Sequence, residues 1–233
     1  MTSMYDDGRY LERTKTWHVE DSPWKASQIA ELLTRNNLQP QRVIEVGCGA
    51  GRVLDGLAQL PSLEQTEFVG YDLSQQAIDL CPSDSSSSVS YICGDPLSDT
   101  NETFDLLLAI DVFEHVPDYM GFLESCSSKA DFKIYHIPLD LHVSAVVRTS
   151  LNRQRDTIGH LHYFTLETAL ATLEATGHSV IDHFFTCGAI QNLGDNRTLG
   201  RVVAAAPRWA ASKLSPALGA RFLGGFSAMV LTT

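Results

Sequence analysis

Apolar positions along the chain alternate between short continuous runs and stretches with helical spacing. Ser22 and Pro23 make a good N-cap and N1 pair. Behind them Ile29, Leu32 and Leu33 recur on one face, which predicts a helix from Pro23 to Arg35 that Asn36 and Asn37 end. From Arg42 the pattern changes. Val43–Val46 is a short apolar strand running into a glycine cluster, and Val53, Leu54, Leu57, Ala58 and Leu60 mark the helix behind it. Glu67–Asp72 reads as a second strand, followed by a short helix from Ser74 with Ala77, Ile78 and Leu80 inward and a serine-rich loop to Ser88. Val89–Ile92, Phe104–Ile110 and Phe132–Ile137 read as strands three to five. A helix from Leu166 to Ala175 has Thr165 and Thr168 placed to cap its start and Gly177 past its end. Ser179–Phe185 is the sixth strand, Ala204–Leu214 a small amphipathic helix, and Phe226–Leu231 the last strand.

Strands alternating with helices, several of them apolar throughout, predict an α/β fold with a parallel sheet covered on both faces. Residues 1–40 read as an N-terminal helical cap or lid. Residues 41–233 read as one Rossmann-like domain with an insert at about 139–163. Composition agrees: 233 residues, 44% hydrophobic and 19% charged, suit a chain that buries a core without disulfides or metal. Acidic residues outnumber basic ones 28 to 17, for a net charge of −11. That balance argues against nucleic acid and anionic membrane as partners, while leaving room for a local basic pocket. The five cysteines are odd in number and contain no Cys-x-x-Cys pair, which argues against a secreted disulfide framework and a zinc ribbon. The first ten residues are polar, and no run reaches the ~18 apolar residues of a membrane span, so the expected setting is soluble and cytoplasmic.

The sharpest chemical signal is Glu45–Val46–Gly47–Cys48–Gly49–Ala50–Gly51. Glycines at a strand-to-helix turn let the backbone approach a ligand closely, at the strand ends where α/β sheets bind. Asp72 ends the second strand, where a carboxylate can accept two hydrogen bonds from a ribose diol. Gly94–Asp95 follows the third strand, where a second acid can meet an adenine edge. A dinucleotide fingerprint wants a small residue where this chain has Arg52. An acidic strand end without a phosphate-facing lysine suits a nucleoside carrying a cation better than a pyrophosphate.

In these residues the chain resembles the class I S-adenosylmethionine-dependent methyltransferases, in the small-molecule branch that includes ubiquinone-type enzymes. Glu45–Gly51 looks like their first motif, Val69–Ser74 the second, Gly94–Leu97 the third, and Phe104–Val116 the fourth with its Glu-His extension. The resemblance implies a seven-stranded, mostly parallel sheet whose last strand is antiparallel and inserts between the fifth and sixth. It implies S-adenosylmethionine as cofactor, with Glu45, Gly47, Cys48, Gly49 and Gly51 around its methionine part. It also implies Asp72 on the ribose, Leu73 against the adenine, Asp95 and Pro96 beside the adenine amine, and Asp111 and Val112 under the sulfonium.

An oxygen or nitrogen acceptor must lose a proton, and histidine is the usual base. Five of the eight histidines lie between His115 and His162. His115, His160 and His162 are the candidates, alternation placing the last two on one side. His136, inside a strand, is equally a satisfied core histidine. No carboxylate matches the His160/His162 pair by spacing, so no metal is expected. Arg148, Arg153 and Arg155, with Tyr163, are candidates for holding a small anionic substrate, phosphorylated or carboxylated. A solvated helix face with surface ion pairs explains the arginines slightly better. Trp17, His18, Trp24 and Lys25 suit either a lid or a staple for the first helix. The expected partner is a small molecule, and a homodimer is compatible with the reading. Two rivals stand beside it: a protein that binds the cofactor without transferring methyl, and a nicotinamide-dependent oxidoreductase or epimerase.

Overall fold

The computed structural model of the protein describes residues 19–83, 85–98, 102–188 and 199–233. Its strands are β1 (Arg42–Val46), β2 (Glu67–Asp72), β3 (Val89–Cys93), β4 (Phe104–Ile110), β5 (Ala130–Pro138), β6 (Val180–Thr186) and β7 (Ser227–Thr232). They form one seven-stranded sheet in the order β3-β2-β1-β4-β5-β7-β6. Strands β1 to β5 pair in parallel. β7 runs antiparallel to both β5 and β6. This is the expected Rossmann-like sheet, with the last strand slotted between the fifth and sixth.

Nine helices surround it among the described residues: α1 (Ser22–Arg35), α2 (Arg52–Ala58), α3 (Gln75–Ile78), α4 (Tyr119–Ser127), α5 (Val143–Val147), α6 (Ser150–Ile158), α7 (Leu166–Ala175), α8 (Leu199–Leu214) and α9 (Pro216–Phe222). On one face Ile29 and Leu32 of α1 and Leu54 and Leu57 of α2 pack with Val43, Leu106, Leu108, Ile134 and Leu231. On the other, Leu123 of α4, Leu173 of α7 and Ala220 of α9 pack with Ile44, Leu107, Tyr135 and Val230. Neighbouring strand residues point to opposite faces, and both faces are buried here. That is why β4 is apolar without a break from Leu106 to Ile110 instead of alternating.

α1 is therefore part of the core from Ser22 onward: Ile29 and Leu32 are fully buried against the sheet, and cutting either to alanine should cost about 2–5 kcal/mol. Arg35 at its end reaches Asp182 on β6 at 3.0 Å. Trp17 and His18, candidates for a lid, lie outside the described residues. The helix begins one residue earlier than its pattern suggests. Asp21 takes the N-cap position with a helical instead of extended backbone and makes no side-chain cap; its Oδ2 pairs with Lys25 at 3.2 Å. Leu80 is 40% exposed instead of inward, since α3 already ends at Ile78. Thr165 and Thr168 form the expected cap on α7, each hydroxyl bonding the other's backbone N–H at 3.2 and 3.0 Å. α8 starts before Ala204 and runs through Pro207, and α4, α5, α6 and α9 are helices that the sequence pattern did not pick out. No helix among the described residues is long and apolar enough to cross a membrane.

Candidate active site

Strand order reverses between β1 and β4, and open α/β sheets bind ligands in the crevice at that switch point. A cavity of about 1180 Å³ lies there, lined by the carboxyl ends of β1, β2, β4 and β5, by the glycine bend, and by Trp24 and Lys25 of α1. It exceeds the ~300–1,000 Å³ of an ordinary ligand pocket, so it has room for two small molecules side by side.

The bend is built by backbone that only glycine adopts readily. Gly47, Gly49 and Gly51 have φ of 74°, 55° and 72°. A Cβ on Gly47 would also sit 2.8 Å from Val112 Cγ2. Gly51 is not on the cavity wall. It starts α2 beneath the Tyr91 ring, whose hydroxyl donates to its carbonyl at 2.8 Å. Gly47, Cys48 and Gly49 do line the cavity. Glu45, the penultimate residue of β1, is 2% exposed, and its Oε2 has no hydrogen-bond partner among the described residues. Burial raises its pKa well above the usual carboxylate range; Lys25 opposes the rise and Asp72 adds to it. Asp72 is fixed by two backbone N–H donors, Gly49 to Oδ2 at 2.9 Å and Ser74 to Oδ1 at 2.8 Å. Burial raises its pKa too, against the pull of those two bonds. Each of its oxygens keeps a lone pair for a ligand. Leu73, 72% exposed, Asp95 and Pro96 complete this end.

Asp111 and Val112 also line the cavity, but Asp111 is already engaged. Its φ of 56° is left-handed, a conformation that aspartate tolerates. One carboxylate oxygen takes Lys25 Nζ at 2.8 Å and the other His136 Nδ1 at 2.6 Å. His136 Nε2 meets Thr186 Oγ1 at 2.8 Å. Burial works against the Asp111 charge, yet His136 and Lys25 together hold its pKa far below the ordinary value. Burial likewise works against the Lys25 ammonium, and Asp111 and Asp21 more than offset it. His136 is thus a satisfied core histidine. Lys25, which arrives from a helix before the domain proper, is the residue of this network whose role the sequence left open.

His115 and His160 also line the cavity, their rings 4.8 Å apart. His115 Nδ1 faces the Gly159 carbonyl at 3.1 Å. His160 Nδ1 faces Asp140 Oδ2 at 2.6 Å, and the other Asp140 oxygen accepts from Gln154 at 2.9 Å. Behind them Glu114 is 1% exposed. Burial raises its pKa well above normal, and the Asp111 charge adds to that. His162 goes elsewhere. Residues 159–165 do not form a strand, and the Leu161 and His162 N–H groups both donate to the Glu114 carbonyl. The chain folds over that carbonyl, so alternation fails: His162 packs on Tyr119 and contacts the Val116 carbonyl at 3.0 Å. Tyr163 donates to the Leu151 carbonyl and ties down the insert. Arg148, Arg153 and Arg155 are exposed on the insert and are absent from the cavity wall.

Residues 19–183 match the family described as a methyltransferase domain. A ubiquinone biosynthesis O-methyltransferase of Parvibaculum lavamentivorans is 33% identical over 92 residues, which cover 37% of this chain and 35% of that protein. The match thus spans about a third of that relative's length. Among solved structures, phospholethanolamine N-methyltransferase 2 of Haemonchus contortus, in complex with phosphomonomethylethanolamine and S-adenosylhomocysteine, superposes with a TM-score of 0.61 at 15% identity, over all of this chain and 60% of that one. Magnesium protoporphyrin IX methyltransferase of Synechocystis PCC 6803, with bound SAH, gives 0.59 at 14% identity, over 90% and 82%. These likenesses agree on the fold, and the family match covers more than half of the sequence. The chain belongs to the methyltransferase domain family.

Proposed function

We propose that the protein binds S-adenosylmethionine in this cavity and methylates an oxygen or nitrogen atom of a small molecule beside it. The observation that carries the reading is Glu45: a fully buried carboxylate oxygen on the cavity wall with no hydrogen-bond partner among the described residues, beside a bend kept bare of side chain by Gly47 and Gly49. Such a group calls for a cationic donor, and the ammonium of an aminoacyl tail is one. Asp72, braced by Gly49 and Ser74, takes the ribose hydroxyls. Leu73, Asp95 and Pro96 bracket the base. Bound there, the cofactor supplies an electrophilic methyl group. The chain contributes alignment and charge control, the usual share of a protein around a cofactor. His115 and His160, also on the cavity wall, activate the acceptor. Relatives named for ubiquinone biosynthesis and solved neighbours holding S-adenosylhomocysteine support the same choice. The arginines of the insert, outside the wall, are left out of the acceptor site.

Calorimetry tests this directly. S-Adenosylhomocysteine should bind and NAD should not. Asp72→Asn should weaken the former by about 10–100-fold, the range for hydrogen bonds to a charged group. NAD binding, or an Asp72 variant that binds as the wild type does, defeats the assignment. Transfer of a labelled methyl group to a panel of small hydroxyl and amine acceptors separates catalysis from mere cofactor binding.

A further inference from the structure

Two thiols meet at the glycine bend. Cys48 lies within it, between Gly47 and Gly49, buried and on the cavity wall. Cys81 lies on the turn after α3, half-buried, its N–H bonded to the Ile78 carbonyl at 3.0 Å. Both sulfurs stand over one carbonyl oxygen, that of Gly49, Cys48 Sγ at 3.8 Å and Cys81 Sγ at 3.6 Å. The two thiols also hydrogen-bond to each other, and neither is in a disulfide. β2 makes room for the pair: a Cβ on Gly70 would stand 2.9 Å from Cys48 Sγ, so a larger residue there would displace the thiol.

The contact is polarised, with Cys48 as donor and Cys81 as acceptor. That bond lowers the Cys81 pKa from its ordinary value; burial and the Asp72 charge oppose the fall, and the Arg52 charge helps it. The same bond, followed by burial, raises the pKa of Cys48. A thiolate is the form of cysteine that attacks peroxides. Redox-sensing sites set such a sulfur beside a second thiol that resolves the product.

We propose that Cys48 and Cys81 form a reversible oxidation site, at which a peroxide links the two sulfurs and so weakens the cofactor end of the cavity. The Cys81 thiolate attacks one oxygen of hydrogen peroxide, the O–O bond breaks, and hydroxide leaves and takes up the proton that Cys81 had released. Cys48 sulfur then attacks the sulfenic sulfur; the S–S bond forms, the S–O bond breaks, and water leaves with the Cys48 proton. In all, the two thiols give up two electrons, and the peroxide becomes two molecules of water.

The consequence follows from what the bend holds. Gly47 and Cys48 N–H groups donate to the Tyr71 carbonyl at 2.8 and 2.9 Å, and Gly49 N–H braces Asp72 at 2.9 Å. A covalent bond draws the sulfurs closer than a hydrogen bond does. It takes both S–H groups from above the Gly49 carbonyl and pulls the bend toward α3. Gly49 moves with the bend, and Asp72 loses the brace that aims it at the ribose. The effect on the cofactor rests on the methyltransferase reading above; the disulfide does not.

The full chain is reduced, freed of reductant and titrated with S-adenosylhomocysteine before and after hydrogen peroxide, and again after dithiothreitol. Peptide mapping without reduction locates the cross-link. Peroxide should join Cys48 to Cys81 and lower the affinity by about tenfold or more, and dithiothreitol should restore it. Reduced Cys81→Ser should bind within about twofold of the wild type and keep its affinity in peroxide. Cys93→Ser, which removes an exposed thiol, should respond as the wild type does. Should Cys81→Ser fail to fold, Cys81→Ala serves in its place. Absence of the Cys48–Cys81 cross-link, an oxidised protein that binds as the reduced one does, or an equal loss in Cys81→Ser overturns the site. A cross-link in a protein that binds no S-adenosylhomocysteine even when reduced keeps the thiol pair and sinks the cofactor assignment instead.

Discussion

Gly47 shows how much a single residue decides here. It combines a left-handed backbone with a Val112 methyl where its side chain would stand. Gly47→Ala should therefore lose about 1–3 kcal/mol of stability and much of its S-adenosylhomocysteine affinity, measured by urea unfolding and calorimetry. Adding Val112→Ala should restore only the part due to contact, because the backbone strain remains; complete rescue would mean that the φ angle is not the cause. Asp111 adopts a similar backbone without being glycine, and the Lys25 and His136 bonds hold it there. The role of Gly47 was legible from its place between an apolar strand and a helix. That of Asp111 was only partly so, since sequence cannot show that both carboxylate oxygens are taken.

At the scale of elements, the placing of α1 matters most. Its apolar stripe is ordinary, but Lys25 on the same helix reaches across to Asp111 after β4 and closes one wall of the cavity. Lys25→Met should cost about 3 kcal/mol, as expected when one partner of a buried ion pair is removed. Lys25→Met with Asp111→Asn should cost less than the sum of the two single changes. Strict additivity in that double-mutant cycle, read by denaturant unfolding, would show that the pair does not anchor the helix. On the opposite face of the sheet, Thr165→Ala removes the α7 cap and should cost about 1 kcal/mol. The cap was legible because it spans four residues. The Lys25–Asp111 pair was not, because 86 positions of sequence separate its members, and no local pattern carries that information.

For the molecule as a whole, acid stability is set partly far from the site. His178 is 3% exposed. Its Nε2 meets the Tyr135 hydroxyl at 2.6 Å, and its Nδ1 faces the Leu173 carbonyl at 3.2 Å. Burial pushes its pKa down from 6.5 to about 4; the Leu173 bond opposes the fall and the Lys133 charge adds to it. In that window the unfolded chain takes up a proton that the folded one refuses. Stability from this group is complete above about pH 6.5 and drains as the pH falls toward about 4. Between about pH 7 and about pH 5 the wild type should lose roughly 2 kcal/mol from His178. His178→Gln should flatten that slope in urea unfolding, and an unchanged slope would refute the linkage.

The antiparallel last strand was implied by the family resemblance. By itself the sequence determined the seven strands, five of the nine helices among the described residues, the parallel sheet, and the glycine bend and Asp72 on the cavity wall. All of these follow from short-range signals: apolar runs, a glycine bend after one strand, a carboxylate at the end of the next. Only the tertiary structure decided how His115 and His160 meet on the cavity wall. Glu114, Asp140 and His160 come from three separate segments, and their meeting depends on how β4, β5 and the insert cross over the sheet. It separated His160 from His162, which a two-residue period would have kept together, and it set the insert's arginines on the outside. Chemistry carried by one turn of chain is written in neighbouring residues; chemistry assembled across the sheet exists only once packing has brought its parts within reach.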